Sequence, residues 1–317
     1  MKKILFVCPN YFDLYKIFQD GIEKYSGCEV KTIIYRPYKY KHVGERIQNA
    51  MSKALFKNNL KPFWAYAEAL KAVSQTERFD YTLVICPEIL SPKQLTFLKS
   101  ISDKFIAYYW DGFDHFPAYE DTVQYFDECF TFEPADAEKY SLNFITNFYF
   151  AEDKHSSEAK TDMFFLGSYD SRVPSIARIV KLLEKQDQKV LVYLHTKKKD
   201  IDTSSLSDSI KIINKFVPFD QTTQYMKETR IVLDIHKDIQ RGLSFRVFEA
   251  MGLQKKLITT NPDIAKYDFY NPDNIFIWTD DTEKIPESFL KTPYQPVPEA
   301  IYQKYHQRNW VKKIFNL

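Results

Sequence analysis

Two charged side chains, Arg246 and Glu249, stand in an otherwise apolar helical stretch, Gly242-Leu-Ser-Phe-Arg-Val-Phe-Glu-Ala-Met-Gly252. Three residues apart on a helix, they share nearly one face. Backbone N–H groups near Leu243 and Ser244 can hold a phosphate, with Arg246 alongside as counter-charge. Glu249 offers two oxygens to a vicinal diol such as a ribose. The plain alternative is a surface Arg–Glu pair of small energetic value. A second cluster is Tyr108-Tyr-Trp-Asp-Gly-Phe-Asp-His-Phe-Pro117, where Asp111, Asp114 and His115 crowd among Trp110, Phe113 and Phe116. Aromatic faces beside carboxylates suit a sugar, by stacking on C–H faces and hydrogen bonding to hydroxyls. Asp111 is the candidate general base, its pKa expected to rise by aromatic burial. The competing reading is a turn in which Asp111 and Asp114 bond local backbone amides.

Both clusters need a parallel sheet behind them. The apolar run 231–235 reads as a buried strand. Gly242 allows a tight turn, Ser244 caps a helix over 245–252, and 256–260 returns as the next strand. This is a βαβ unit whose loop lies at the carboxyl edge of the sheet, where open α/β sheets hold ligands. The first half reads as strands over 3–8, 30–35, 81–86, 105–110, 129–132 and 143–148. Helices are expected over 10–25, 43–57, 62–76, 92–102 and 118–126. The second half repeats the alternation, with strands over 163–166, 189–195, 210–213 and 274–278. Its helices fall over 173–184 and 220–227, with a helical tail over 298–315. The polar, aperiodic stretch 151–161 is the expected linker. The expected domains are therefore 1–155 and 156–317, each a doubly wound α/β layer structure.

The segment from Gly242 to Gly252, followed by Lys256-Leu-Ile-Thr-Thr-Asn261, resembles the donor-binding segment of GT-B glycosyltransferases. It is most similar to the bacterial group-1 and spore-maturation-type enzymes. The resemblance implies two Rossmann-like domains facing a central cleft, with a C-terminal helix crossing back to the first domain. It gives the ribose to Glu249 and the diphosphate to Arg246 and the Gly242–Ser244 loop. The turn Gly167-Ser-Tyr-Asp-Ser-Arg172 resembles the opening of the second GT-B domain, so Gly167, Ser168 and Arg172 would meet the donor phosphates or the transferred sugar. Arg172 otherwise reads as a surface arginine in a first helical turn. His236, beside the Gly242 loop, would touch donor sugar or phosphate; the alternative is a histidine satisfied by backbone. Asn214-Lys-Phe-Val-Pro218 falls where relatives hold the nucleobase.

Size and composition bound this reading. With 317 residues, two domains are the better prior, and 44% hydrophobic residues suffice for real cores. A net charge of +2 argues against a dedicated nucleic-acid binder. Cys8, Cys28, Cys86 and Cys129 form no C-x-x-C pair, so a reduced cytoplasmic protein without a zinc site or disulfide framework is expected. The apolar run after Met1 is too short for a signal peptide, and no stretch is long enough to span a bilayer. Only 7 glycines occur and none form G-x-G-x-x-G, which weakens any dinucleotide site of that type. Arg36-Pro-Tyr-Lys-Tyr-Lys-His42 interleaves bases with aromatics and suits a polyprenyl-phosphate-linked acceptor or the membrane surface; a solvated loop is the commoner meaning.

The expectation is a metal-independent glycosyltransferase with no cofactor. It would move a sugar from a nucleotide-sugar donor to a glycan or polyprenyl-linked acceptor in capsule, lipopolysaccharide or other surface-polysaccharide biosynthesis. It would act in the cytoplasm, with peripheral contact at the inner membrane face. No Asp-x-Asp pair is expected to hold a metal–diphosphate. Alternatives are a phosphoribosyl- or 3-deoxy-sugar transferase of the same fold, or a non-catalytic two-domain sugar- or nucleotide-binding protein.

Overall fold

A computed structural model describes residues 1–10, 13–36, 38–152, 158–198, 201–237 and 240–317. The chain divides into two compact units, Met1–Ile145 with Val311–Leu317, and Thr146–Trp310. The expected boundary at 155/156 lies outside the described residues, as does much of the expected linker.

In the first unit, β1 (Lys3–Pro9), β2 (Glu29–Tyr35), β3 (Phe79–Ile85), β4 (Ser102–Tyr109), β5 (Glu128–Thr131) and β6 (Asn143–Phe144) form one parallel sheet. Their order is β2-β1-β3-β4-β5-β6. Around it lie α1 (Leu14–Ser26), α2 (Val43–Phe56), α3 (Leu60–Leu70), α4 (Pro92–Ser100), α5 (Glu120–Val123) and α6 (Pro134–Lys139). Uninterrupted apolar runs make the central strands, since both faces of a doubly wound sheet are covered. Residues Ile4–Pro9 of β1 and Phe105–Tyr109 of β4 are buried without alternation. Helix boundaries follow local chemistry. Ser91 and Gln94 close a capping box with Pro92 just inside the first turn of α4.

The second unit repeats the pattern with β7 (Thr161–Ser168), β8 (Val190–His195), β9 (Ile210–Ile213), β10 (Thr229–Asp234), β11 (Lys256–Thr259) and β12 (Ile275–Ile277). All pair in parallel, in the order β12-β11-β10-β7-β8-β9. Its helices are α7 (Val173–Lys185), α8 (Phe219–Lys227), α9 (Phe245–Gly252), α10 (Glu287–Lys291) and α11 (Glu299–Lys304); α12 (Gln307–Phe315) ends in the first unit's contact group. Strand addition reverses direction between β1 and β3 in the first unit, and between β7 and β10 in the second. Those reversals open crevices at the carboxyl ends, where ligands bind in this class of sheet.

Two expectations are corrected. The strand foreseen over 143–148 stops at Phe144, and Tyr149 instead makes a parallel bridge with His306. The same bridge interrupts the tail helix: the Tyr149 amide donates to Tyr305 and the Gln307 amide to Tyr149, so α11 and α12 are separate.

Gly252, the last residue of α9, is fixed by close approach. A Cβ there would lie 2.7 Å from the Ala151 carbonyl oxygen and 2.7 Å from the Tyr149 Cβ. Both obstacles are backbone or near-backbone, so Gly252→Ala should destabilise the second unit by roughly 1–3 kcal/mol. A lowered urea midpoint at unchanged m-value is the expected reading, and an unchanged midpoint contradicts it.

Candidate active site

The second unit's strand reversal gathers most of the residues singled out by sequence. β7 ends at Gly167 and Ser168, and the following turn brings Asp170 and Arg172 to the start of α7. The Asp170 carboxylate accepts from the Arg172 amide at 3.1 Å and from its guanidinium at 2.9 Å (Nε) and 2.7 Å (Nη2). Arg172 Nη1 donates to the Ile235 carbonyl at 2.9 Å, just past β10. The guanidinium therefore ties the two diverging loops together and is not a loose surface arginine. Three of its five N–H groups serve these bonds, leaving one on each terminal nitrogen without a partner among the described residues. The same contact holds the Asp170 carboxyl below the usual range.

Arg246, in the first turn of α9, reaches the same place. Its Nη2 donates to the Leu166 carbonyl at 2.6 Å, its Nη1 lies 3.8 Å from Asp234, and its guanidinium stacks 4.8 Å above the Phe165 ring. Burial lowers its pKa and Arg172 adds to the fall, opposed by Asp234 and Glu249. Two cations are thus held close enough to repel. Gly167 borders the support, because a Cβ there would come 2.7 Å from the Phe165 ring that carries Arg246.

Asp234 is buried at the end of β10 and accepts from Ser244 Oγ at 2.8 Å and Thr259 Oγ1 at 2.9 Å. This corrects the capping expectation. Ser244 occupies the position before α9, but its hydroxyl is turned to Asp234 and makes no cap bond to the helix amides. Gly242 lies in the bend without the left-handed backbone that would demand glycine. Leu243 is buried, and its carbonyl accepts from Asn147 Nδ2 at 2.9 Å. His236 is half-buried, its amide and Nδ1 both on Thr260 Oγ1, at 3.0 and 2.7 Å. A hydroxyl, not backbone, holds its ring.

Glu249 departs most from a surface ion pair. It is 7% exposed and its Oε1 is covered and unpartnered. Burial lifts its carboxyl to about 7, with Arg246 opposing. The ion-pair partner of Arg246 is Asp234, so the alternative of a surface Arg246–Glu249 pair is not what the helix carries. An unpartnered buried carboxyl oxygen is rare in folded proteins and calls for an explanation such as a ligand donor.

An open pocket of about 760 Å³ is lined by residues of β8, β9 and α8 and the segments that follow the two strands. Tyr193, Asn214, Phe216, Val217 and Tyr225 are among its lining residues, which places positions 214–217 of the expected nucleobase segment 214–218 on its wall. The chain's one Asp-x-Asp sequence, Asp200-Ile-Asp202, corrects the view that none needs weighing as a metal ligand. Asp200 lies outside the described residues, and Asp202 accepts from the Ser204 amide at 2.9 Å. Among the described residues no cluster of His, Cys, Asp or Glu could hold a metal ion.

In the first unit, Asp111 follows β4 and is half-buried. Its loop is shaped from outside: Asp136, past β5, accepts from the Phe113 amide at 2.8 Å. Phe113 is buried against Tyr140, Tyr109 and Tyr119, so it belongs to the core and is not a stacking face for sugar. Asp114 and His115 are exposed. The residue that sequence reasoning missed is Glu88, in a one-turn helix (Pro87–Ile89) after β3, at the first unit's strand reversal. Its Oε2 is buried without a partner, and burial, with Asp111 adding, lifts its carboxyl to about 7. Cys86 just before it holds a left-handed backbone, φ 58°, which is uncommon for a non-glycine residue. An acid directly after an apolar strand, in Cys-Pro-Glu, was the available signal.

No protein-family model matches the chain, and no curated protein sequence matches it. Similar folds are found among crystal structures. AviGT4, a glycosyltransferase involved in avilamycin A biosynthesis, is 12% identical, with TM-score 0.60, over 99% of this chain and 96% of its own. S. aureus MnaA, in a structure with UDP, is 12% identical, with TM-score 0.51, over 100% of this chain and 98% of its own. The DNA-modifying β-glucosyltransferase is 12% identical, with TM-score 0.50, over 99% of this chain and 100% of its own. At such identities the likeness shows the fold: two parallel six-stranded α/β sheets of the GT-B kind.

Proposed function

We propose that the chain is a glycosyltransferase that takes a sugar from a nucleotide-activated donor. The observation carrying this reading is the pair Arg172 and Arg246, fixed by backbone carbonyls at the carboxyl ends of β10 and β7, the two strands at the second unit's strand reversal. Each guanidinium already has an acid near it, so the site offers a diphosphate oriented N–H groups more than net charge. Glu249 supplies the acceptor for ribose hydroxyls, and the pocket walled by 214–217 supplies room for a base. In the transfer, the acceptor oxygen bonds to the anomeric carbon as the bond to the donor phosphate breaks. The electron pair leaves with the nucleotide, and Asp111 takes the acceptor proton if configuration inverts. The reading includes no metal: the two arginines stabilise the leaving group. The acceptor is a glycan or lipid-linked hydroxyl of bacterial surface-polysaccharide assembly, met in the cytoplasm at the membrane face. AviGT4 and β-glucosyltransferase, glycosyltransferases by name, share the fold and support the class of reaction.

A thermal-shift panel of UDP, GDP, CMP, dTDP and phosphoribosyl diphosphate tests the donor. One compound should raise the midpoint selectively, because ligand binding to the native state adds stability by mass action. Arg172→Ala should weaken that compound by about ten- to a hundredfold, the loss of one or two charge-assisted hydrogen bonds. A panel with no shift, or a shift that survives in both Arg172→Ala and Arg246→Ala, removes the proposal. Turnover of the matching sugar nucleotide separates an enzyme from a binding protein, and its survival in chelator tests metal independence.

A further inference from the structure

Helix α2 is built inside out. Val43, Ile47, Met51 and Leu55 recur every four residues and are 72%, 55%, 56% and 68% exposed; Phe56, which closes the helix, is 76% exposed. At 100° per residue the first four form one outward stripe about 120° wide, and Phe56 lies outside it. The helix's one buried residue is Asn49, about 180° away from the middle of that stripe. Asn49 Nδ2 donates to Tyr40 and Asn59, at 2.8 and 3.1 Å, and its Oδ1 accepts from the Leu60 amide at 2.7 Å. The half-buried Glu45 accepts from the Tyr38 hydroxyl at 2.8 Å. A surface helix ordinarily buries its apolar stripe and shows its polar face; this one is docked by amide hydrogen bonds and shows its apolar face.

Charge around the stripe is one-sided. From Arg36 to Lys61 the chain carries seven Lys or Arg and a single acid, Glu45, although the whole chain is only +2. Arg36, Lys39, Lys41, Arg46, Lys53 and Lys57 are exposed, and Lys41 pairs with Glu68 at 2.8 Å. The tyrosines of the 36–42 segment are engaged internally: Tyr38 lies 5.5 Å from Trp64 and Tyr40 sits under Lys61. The apolar surface therefore belongs to α2, while the preceding loop contributes charge. No helix among the described residues is long and apolar enough to cross a membrane.

We propose that α2 is a membrane-surface anchor, laying Val43, Ile47, Met51 and Leu55 into the headgroup boundary of a bilayer rich in anionic lipid. An outward apolar stripe flanked by Lys and Arg is the pattern of helices that lie in the interface plane. Basic side chains beside it add attraction to anionic lipid that falls off with salt. The anchor does not rest on the glycosyltransferase reading, since vesicle binding is measured without any sugar donor.

Sedimentation of the full chain with phosphatidylcholine vesicles, with and without phosphatidylglycerol, is the test. Binding should require the anionic lipid and weaken in high salt. The double variant Ile47→Gln/Leu55→Gln should abolish binding while leaving the melting transition in place, because both side chains are exposed. Arg46→Gln/Lys53→Gln should weaken it by about fivefold per charge removed. Absence of binding to anionic vesicles overturns the proposal, as does equal binding by the apolar double variant. A wild-type dimer that falls to monomer in Ile47→Gln/Leu55→Gln, without vesicle binding, assigns the stripe to a second copy and also overturns it.

Discussion

Glu249→Ala abolishes the rise in melting midpoint that the matching nucleotide gives, while the unliganded midpoint at pH 8 stays level or rises. The carboxyl carries an unpartnered buried oxygen, so ribose hydroxyls would add donors where none exist. Two hydrogen bonds to a charged acceptor are worth roughly 3 kcal/mol or more together, over a hundredfold in Kd. Glu249→Gln separates charge from shape, keeping the volume and one acceptor oxygen and losing most of the affinity. Calorimetric titration reads both. An undiminished nucleotide shift in Glu249→Ala would take this residue out of the site and leave its burial as a cost without a use.

The same carboxyl makes stability depend on pH, with a definite sign. Its folded pKa is about 7, against about 4.3 for an unperturbed glutamate. The raised value means the fold prefers the protonated form. That contribution is complete below about pH 4 and is lost as pH climbs through 7, by roughly 4 kcal/mol in all. Glu249→Gln cannot ionise, so it should match the wild type near pH 3.5 and exceed it near pH 8. Nucleotide binding should release close to one proton near pH 6, because two donating hydroxyls favour the ionised acid. Titration in buffers of different ionisation enthalpy measures that proton. Release near zero would mean the acid binds nothing, or binds while still protonated.

Much of this site was legible because its elements speak in local patterns. The short apolar cores Ile231-Val-Leu233 and Leu257-Ile258, bounded by turn signals, read as strands covered on both faces, and the Gly242–Gly252 segment between them has helical spacing. Arg172 was legible as a first-turn residue, since a strand ending in Gly-Ser precedes it. Partners were not legible. Nothing in the spacing of Ser244 says that its hydroxyl prefers Asp234, ten residues earlier, to the helix amides it could cap. That choice depends on β10 and β11 lying side by side, which brings Thr259 and Ser244 to one carboxylate. Glu88 stayed hidden for a similar reason. Its significance comes from strand order, which sets β3 beside β1 and β4 and brings Asp111 within electrostatic reach. The outward face of α2 was hidden too, because periodicity gives the stripe but not the side to which it turns.

The largest effect on turnover should come from Asp111→Asn, which lowers kcat by about 10²–10⁴-fold if this carboxylate removes the acceptor proton. Asparagine keeps the size and hydrogen-bonding reach but has no basicity, and nucleotide binding in the second unit should be unaffected. Glu88 sharpens the test. With its carboxyl lifted to about 7, and Asp111 among the groups that lift it, Glu88 gains its charge beside the reacting loop as pH rises through 7. Wild-type kcat should therefore show an inflection near pH 7 that Glu88→Gln removes while retaining the nucleotide shift. A purely structural role for Glu88 would change stability and leave the shape of the profile alone. If Asp111→Asn keeps kcat within tenfold, the proton leaves by another route, and the departing phosphate becomes the base, as a reaction with retention of configuration requires.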